Sequence, residues 1–212
     1  WDIQADKVLT SDRKPEMLGY SPKETSGFSV YDWTGLIHPD DHDRAMKAMK
    51  DHLEGKAGNY EAEYRLKTKN NRWKWFFDLG GIVERDSKNK PIKVAGIVND
   101  INNLMMNKKK YETLFKTMAQ GVVYQNAEGK IISANPAAEK ILGLSQDQMM
   151  GRKSVDKRWH AIKEDGSSFP GHEHPSMIAL KTGKEVRNTM MGVYHPEEKK
   201  HKWILVNAIP QF

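Results

Sequence analysis

The chain has 212 residues, 38% of them hydrophobic and 29% charged, with no cysteine and a formal net charge of +6. The lack of cysteine excludes disulfides, zinc–thiolate sites, iron–sulfur clusters and any cysteinyl–flavin adduct, and is compatible with a reducing compartment. No apolar run approaches the ~18 residues that a membrane-spanning helix needs, so no span is expected within it.

From the N-terminus, Ser11-Asp12 is placed to cap a short helix ending at Gly19. His38-Pro39-Asp40-Asp41 predicts a helix start, with Asp40 or Asp41 as cap, for a helix running from Asp41 to Leu53 and stopped by Gly55. Three strand-like runs follow: Tyr60 to Leu66, Arg72 to Val83 and Ile92 to Ile101. Lys69-Asn70-Asn71 and Asp86-Ser87-Lys88-Asn89-Lys90 separate them as turns, predicting an antiparallel meander.

Residues 104–118 contain neither Gly nor Pro. Ile101, Leu104, Lys108, Tyr111, Phe115 and Met118 recur at three- and four-residue steps, which predicts a linker helix with an apolar stripe. That stripe suits either a short coiled coil or packing on a neighbouring domain. A hairpin then spans Gly121 to Gln125 and Lys130 to Ser133, turning at Asn126-Ala127-Glu128-Gly129. Asn135-Pro136 starts a helix from Ala137 to Leu142 that Gly143 ends. Glu164-Asp165-Gly166 is a turn and Pro175 to Leu180 a short helix. Glu185 to Tyr194 with His201 to Ile209 forms a second hairpin.

Several of these segments recur at an offset of about 125 residues, the size of a small domain rather than of a solenoid repeat. Met17-Leu18-Gly19-Tyr20-Ser21 returns as Ile141-Leu142-Gly143-Leu144-Ser145, Gly55-Lys56 as Gly183-Lys184, and Lys74-Trp75 as Lys202-Trp203. Two related α+β domains are expected, at 1–103 and 119–212, joined by the helix over 104–118. Charge divides unevenly between the halves. Residues 1–103 hold 17 basic and 17 acidic residues, and residues 104–212 hold 17 and 11. The basic excess lies in Lys108-Lys109-Lys110, Arg152-Lys153 with Lys157-Arg158, and Lys199-Lys200 with Lys202. No aromatic stacking platform accompanies these runs, so they read as solvated surface and no nucleic-acid partner is expected.

This order of motifs resembles the PAS family of sensory domains over nearly the whole chain. The first domain is similar through His38-Pro39-Asp40-Asp41, Glu63-Tyr64-Arg65-Leu66, Asn71-Arg72-Trp73, Gly96 and the closing Asp100-Ile101, where Asn102 stands at the position of the family's Thr. The second is similar to segments of archaeal and bacterial sensor kinases through Asn135-Pro136-Ala137, Leu142-Gly143, Glu164-Asp165-Gly166, His174-Pro175 and Lys181-Thr182-Gly183-Lys184. The resemblance implies, for each domain, a five-stranded antiparallel sheet with helices on one face and a small-molecule pocket between them. It further implies a cytoplasmic homodimer whose linker helix signals to an output domain in the same protein, typically a histidine kinase or a cyclic-dinucleotide enzyme. The second domain shows only two late strands, so its last strand is expected to be missing. That gap, and the start at Trp1, predict an excised segment of a longer protein.

No phosphate-cradling glycine loop, kinase ATP-binding sequence or nucleophile elbow is present, so catalysis is not expected. His172, Glu173 and His174 with His160 offer metal-ligand chemistry, but the arrangement is unspecific, they read as loop and helix-start residues, and no metal site is assigned. The ligand is unidentified; composition leaves haem and noncovalent flavin open. The expected pocket is in the second domain, where Trp159, His160, Met177, Met190, Tyr194 and Asn207 could line a cavity and Arg187 could meet an anion, although strand alternation turns Arg187 to the opposite face. The alternative is that these residues are plain core, in a ligand-free module for dimerisation or protein interaction. For signal transfer, Asp100 at the start of the linker and Arg65 on its strand are expected to pair.

Overall fold

The computed structural model describes residues 1–156 and 159–212. Lys157 and Arg158, part of one expected basic run, lie outside the described residues. The chain divides into two compact units, Trp1–Lys109 and Lys110–Phe212.

In the first unit, three short helices, α1 (Arg13–Met17), α2 (Pro22–Thr25) and α3 (Val30–Thr34), precede the longer α4 (Pro39–Leu53). Strands β1 (Tyr60–Lys67), β2 (Trp73–Arg85) and β3 (Pro91–Asp100) form an antiparallel meander in the order β1-β2-β3. Both turns use an asparagine at positive φ, Asn71 at 58° and Asn89 at 63°, the left-handed conformation that this side chain tolerates. The side chains of β1 alternate without exception between buried and less buried positions. Tyr60, Ala62, Tyr64 and Leu66 therefore face the helices and join Leu18, Trp33, Ile37, Ala45 and Phe76 in one core. The ladder aligns Phe76, Asp78, Gly80 and Ile82 of β2 with Asp100, Val98, Gly96 and Val94 of β3, so these residues share that inner face.

Two expectations for helix starts are corrected. Asp12 caps α1 with no side-chain hydrogen bond, because its backbone is already helical. At α4 the cap is His38, whose Nδ1 accepts from the Asp40 N–H at 3.2 Å. Asp41 is instead drawn inward by Arg65 on β1. The five-stranded sheet is only partly realised: three strands form the ladder, and the N-terminal segment adds backbone bonds from Val94 N–H to Trp1 O and from Ile3 N–H to Ile92 O. A turn through Asp6, at φ 46°, limits that segment to isolated bridges.

Helix α5 (Asn102–Thr117) is continuous across the predicted linker, and the unit boundary falls within it. It buries none of its residues; Leu104 and Tyr111 of the stripe are 66% and 70% exposed. Within the stripe, Phe115 is half-buried against Tyr124, with ring centroids 5.8 Å apart, while Leu104 and Tyr111 stay exposed.

The second unit contains β4 (Val123–Gln125), β5 (Ile131–Ala134), α6 (Pro136–Leu142), α7 (Gln146–Met149), α8 (Pro175–Thr182), β6 (Val186–His195) and β7 (Lys200–Ala208). Strands β4-β5 and β6-β7 are separate two-stranded sheets among the described residues. The segment 161–169 folds on itself around the Gly166 turn, and Ile162 exchanges two backbone hydrogen bonds with Gly192 at the free edge of β6. The core is divided to match. One cluster holds Ile131, Ala134, Ala138 and Met149, and the other Ala161, Met191 and Val193; Leu142 and Trp159 flank both. The fully buried Asn135 organises the first cluster. Its Oδ1 accepts from the N–H groups of Val122 and Ala138 at 2.9 Å, and its Nδ2 donates to Gln120 O at 2.9 Å and Phe115 O at 3.1 Å.

Candidate functional site

Of the residues expected to form a pocket in the second unit, His160 and Tyr194 meet edge-on, but the set as a whole lines no common cavity among the described residues. Arg187 is exposed and paired with Glu185 at 2.8 Å. Met190 is 38% exposed, and Asn207 is exposed with its Oδ1 accepting from Asn188 N–H. The register places Met190 opposite Leu205 and Tyr194 opposite His201, whereas the buried Met191, Val193 and His195 point the other way. Trp159 packs between the two core clusters and donates its indole N–H to Lys153 O at 2.9 Å. His160 is exposed, edge-on to Tyr194, and Met177 packs beside Gly129. A cleft of about 290 Å³ in this unit lies between the end of α5 and α6, and none of these residues lines it. His172 is exposed, while His174 is buried with Nε2 bonded to Phe169 O at 3.0 Å. Among the described residues no group of three such side chains could hold a metal ion.

The large cavity is in the first unit, about 1090 Å³ between the helices and the inner face of the sheet. Its apolar wall comes from Met17 of α1, Trp33 of α3, Met46 and Met49 of α4, and Tyr60 and Tyr64 of β1. Room exists because the sheet floor is small where side chains would otherwise meet: Gly80 lies directly across from Gly96, and Ala62 beside Asp78. Of the charged residues that line this cavity, Arg13, Lys50, Glu54 and Asp100 are exposed, whereas Lys14 and Asp78 are more withdrawn. Asp78 stands in the middle of the floor, its Oδ2 accepting from the Tyr64 hydroxyl at 2.8 Å. Burial pushes its carboxyl above the ordinary range, against the pull of that hydrogen bond and of the Lys14 charge. Lys14 enters from α1, its ammonium 4.2 Å from the centre of the Trp33 ring. Burial lowers its pKa, partly offset by Asp78. The Tyr64 phenol is raised well above its usual value by burial and by the neighbouring carboxylate.

Arg65 and Asp100 are not paired with each other. Arg65 holds the buried Asp41, with Nε at 2.7 Å and its own backbone N–H at 3.1 Å from Oδ2, and also reaches Asp40. Burial of Asp41 opposes ionisation, but these bonds from Arg65 prevail and keep its carboxyl below the usual range. The reason is register: Arg65 points to the start of α4, while Asp100 lies beyond β2. Asp100 instead takes Lys74 of β2 at 2.7 Å, and its Oδ1 accepts from Asn102 N–H at 3.0 Å, capping the first turn of α5. Lys74 also donates to Met17 O at 3.0 Å, and the Asn102 carboxamide accepts from Trp75 N–H at 3.5 Å. Asp100 and Met17 both line the cavity, so the start of α5 is tied to its wall.

The PAS fold family matches this chain twice, at residues 7–98 and again at residues 109–206. No curated protein matches the chain at a significant level. Among solved structures, a sensory box histidine kinase/response regulator from Burkholderia thailandensis is 24% identical over 53% of this chain and 82% of its own, with a TM-score of 0.47. The N-terminal domain of a diguanylate cyclase with PAS/PAC sensor from Marinobacter aquaeolei is 22% identical over 49% and 93%, with a TM-score of 0.43. A PAS domain from Colwellia psychrerythraea is 20% identical over 48% and 82%, with a TM-score of 0.40. With both units matched in tandem and each built as an antiparallel α+β domain, the chain belongs to the PAS family.

Proposed function

We propose that the first unit is the ligand-sensing domain of a signalling protein, binding a small molecule in the cavity between α4 and the sheet and passing its state to α5. The observation that carries this reading is that Asp100 both lines the cavity and caps α5, with Lys74 and Met17 bonded to the same junction. A ligand that shifts Met17 or Asp100 changes the hydrogen bonding of the helix's first turn, which is a local event with a long lever. The output domain that reads it is, in this proposal, a histidine kinase in the same cytoplasmic protein. Among the described residues no helix is long and apolar enough to cross a membrane.

Native mass spectrometry of the purified chain, followed by hydrogen exchange with and without whatever small molecule is retained, tests the reading. The expected result is a bound mass and ligand-dependent protection of the amides at 102–106, with the protection abolished by Lys74→Met. A chain that binds nothing, or one whose α5 amides ignore an occupied cavity, would overturn it.

A second-copy contact is favoured by the exposed apolar residues of α5, Leu104, Tyr111, Leu114 and Met118. In this proposal two chains pair along that stripe, and Leu104→Glu with Tyr111→Glu shifts a dimer to monomer in analytical ultracentrifugation.

A further inference from the structure

The cavity of the first unit is electrically polarised from one wall to the other. On the helix side stands the Lys14 ammonium, and among the described residues none of its N–H donors meets an acceptor; its partner is the face of Trp33. Trp33 itself is 5% exposed, and its indole N–H has no hydrogen-bond partner among the described residues. On the sheet side stands the Asp78 carboxylate. Its Oδ2 is occupied by Tyr64, whereas Oδ1 accepts nothing from the described residues. Lys14 and Asp78 feel each other's charge, yet no ion pair joins them.

Opposite charges withdrawn on facing walls of one cavity are costly to keep apart, because the attraction between them only partly offsets the desolvation of each. A ligand carrying its own cation and anion side by side relieves both at once. Its ammonium would donate to Asp78 Oδ1, its carboxylate would accept from Lys14, and both contacts would be charge-assisted. Between these two charges the lining includes Met17, Met46, Met49, Tyr60 and Tyr64, which suit an apolar or aromatic body, and about 1090 Å³ does not exclude the bulkiest one. We infer that the first unit binds a zwitterionic α-amino acid with a large aromatic side chain, its amino group on Asp78 and its carboxylate on Lys14. This rests on the reading of the first unit as a ligand sensor and specifies the ligand.

The test is calorimetric titration of the full chain with L-tryptophan and with its two single-charge analogues, tryptamine and indole-3-propionate. Loss of one charge-assisted contact is expected to weaken binding about tenfold or more, so the amino acid should exceed both analogues. Two near-isosteric variants give a crossed pattern. Asp78→Asn should weaken tryptophan and tryptamine but spare indole-3-propionate; Lys14→Met should weaken tryptophan and indole-3-propionate but spare tryptamine. The analogue series in the unaltered protein needs no variant to fold. Analogues as tight as tryptophan, variants that leave tryptophan unchanged, or no binding of tryptophan would each overturn the inference. If tryptophan fails while native mass spectrometry finds another small molecule bound, the ligand assignment falls and the sensor reading stands. If nothing is bound at all, both fall.

Discussion

The two units share a family but not a construction. The first gathers its inward side chains into one core around three paired strands and still leaves a cavity of about 1090 Å³. The second spreads a comparable number of residues over two separate hairpins and two small clusters, with no assembled ligand site among the residues that its sequence suggested. A cavity is compatible with stability where the surrounding ladder is long and continuous, as along Tyr60–Lys67 and Trp73–Arg85. In the proposed reading, sensing belongs to Trp1–Lys109.

The largest expected effect that sharpens this contrast is Phe76→Ala. Phe76 is wholly buried at the centre of the first unit, and its truncation should cost about 3–5 kcal/mol. Two-step thermal unfolding followed by calorimetry should show the first unit's transition moving sharply and the second's staying in place. A single transition moving as a whole would break the division.

Asn135→Ala is the counterpart in the second unit. It removes two acceptor and two donor contacts at a fully buried site, and a loss of about 2–4 kcal/mol is expected from the orphaned groups. The same calorimetry should now move only the second transition.

A smaller effect of opposite sign is expected from Asp78→Asn. Burial raises the folded-state pKa of Asp78, so ionisation disfavours the fold, and the unit loses stability as pH rises through the carboxylate range towards that raised value. Asp41 works in reverse: its depressed pKa contributes stability above the ordinary carboxylate pKa that is lost as pH falls through the folded value. Asp78→Asn should therefore raise the melting temperature at pH 7 by a few degrees and give little benefit near pH 4, as circular dichroism melts would record. A lower melting temperature at pH 7 would mean that the ionised carboxylate is stabilising.

Least of all should Lys109→Pro disturb either transition, because no residue of α5 is fully buried. The break costs about 3 kcal/mol within the helix itself. Helical signal at 222 nm should fall while both melting temperatures hold.

Much of the fold was legible in local pattern. The alternation of Tyr60, Ala62, Tyr64 and Leu66, the asparagine turns, and Asn135-Pro136 with Gly143 bounding α6 are all short-range signals. The site was not legible in the same way, because its members come from α1, α3, α4 and three strands whose register no local pattern reports. One signal was available: Asp78 follows the aromatic run Trp75-Phe76-Phe77 at the same parity as the buried Phe76, so an acid on an inward position was readable from the strand alone. Lys14 offered nothing comparable, since a helix of five residues has too few turns to show a face. Arg65 misled for a related reason. It suggested an ionic partner, but choosing Asp41 over Asp100 required knowing which neighbour lies across the sheet.

The paired glycines of the floor restrict how this cavity can change over evolutionary or engineering time. A methyl group on Gly96 would run into the Leu79 carbonyl and the Gly80 backbone, and one on Gly80 would stand 3.2 Å from the Ala95 carbonyl. Those neighbours are backbone and cannot step aside, so the floor admits no larger residue at Gly96 and scarcely any at Gly80. Variation in ligand size must then come from the opposite wall, where Met17, Met46 and Met49 are flexible enough to be resized singly without touching the sheet. A library confined to those three methionines would explore new ligands while leaving the charge pair, and the strands that carry it, unaltered.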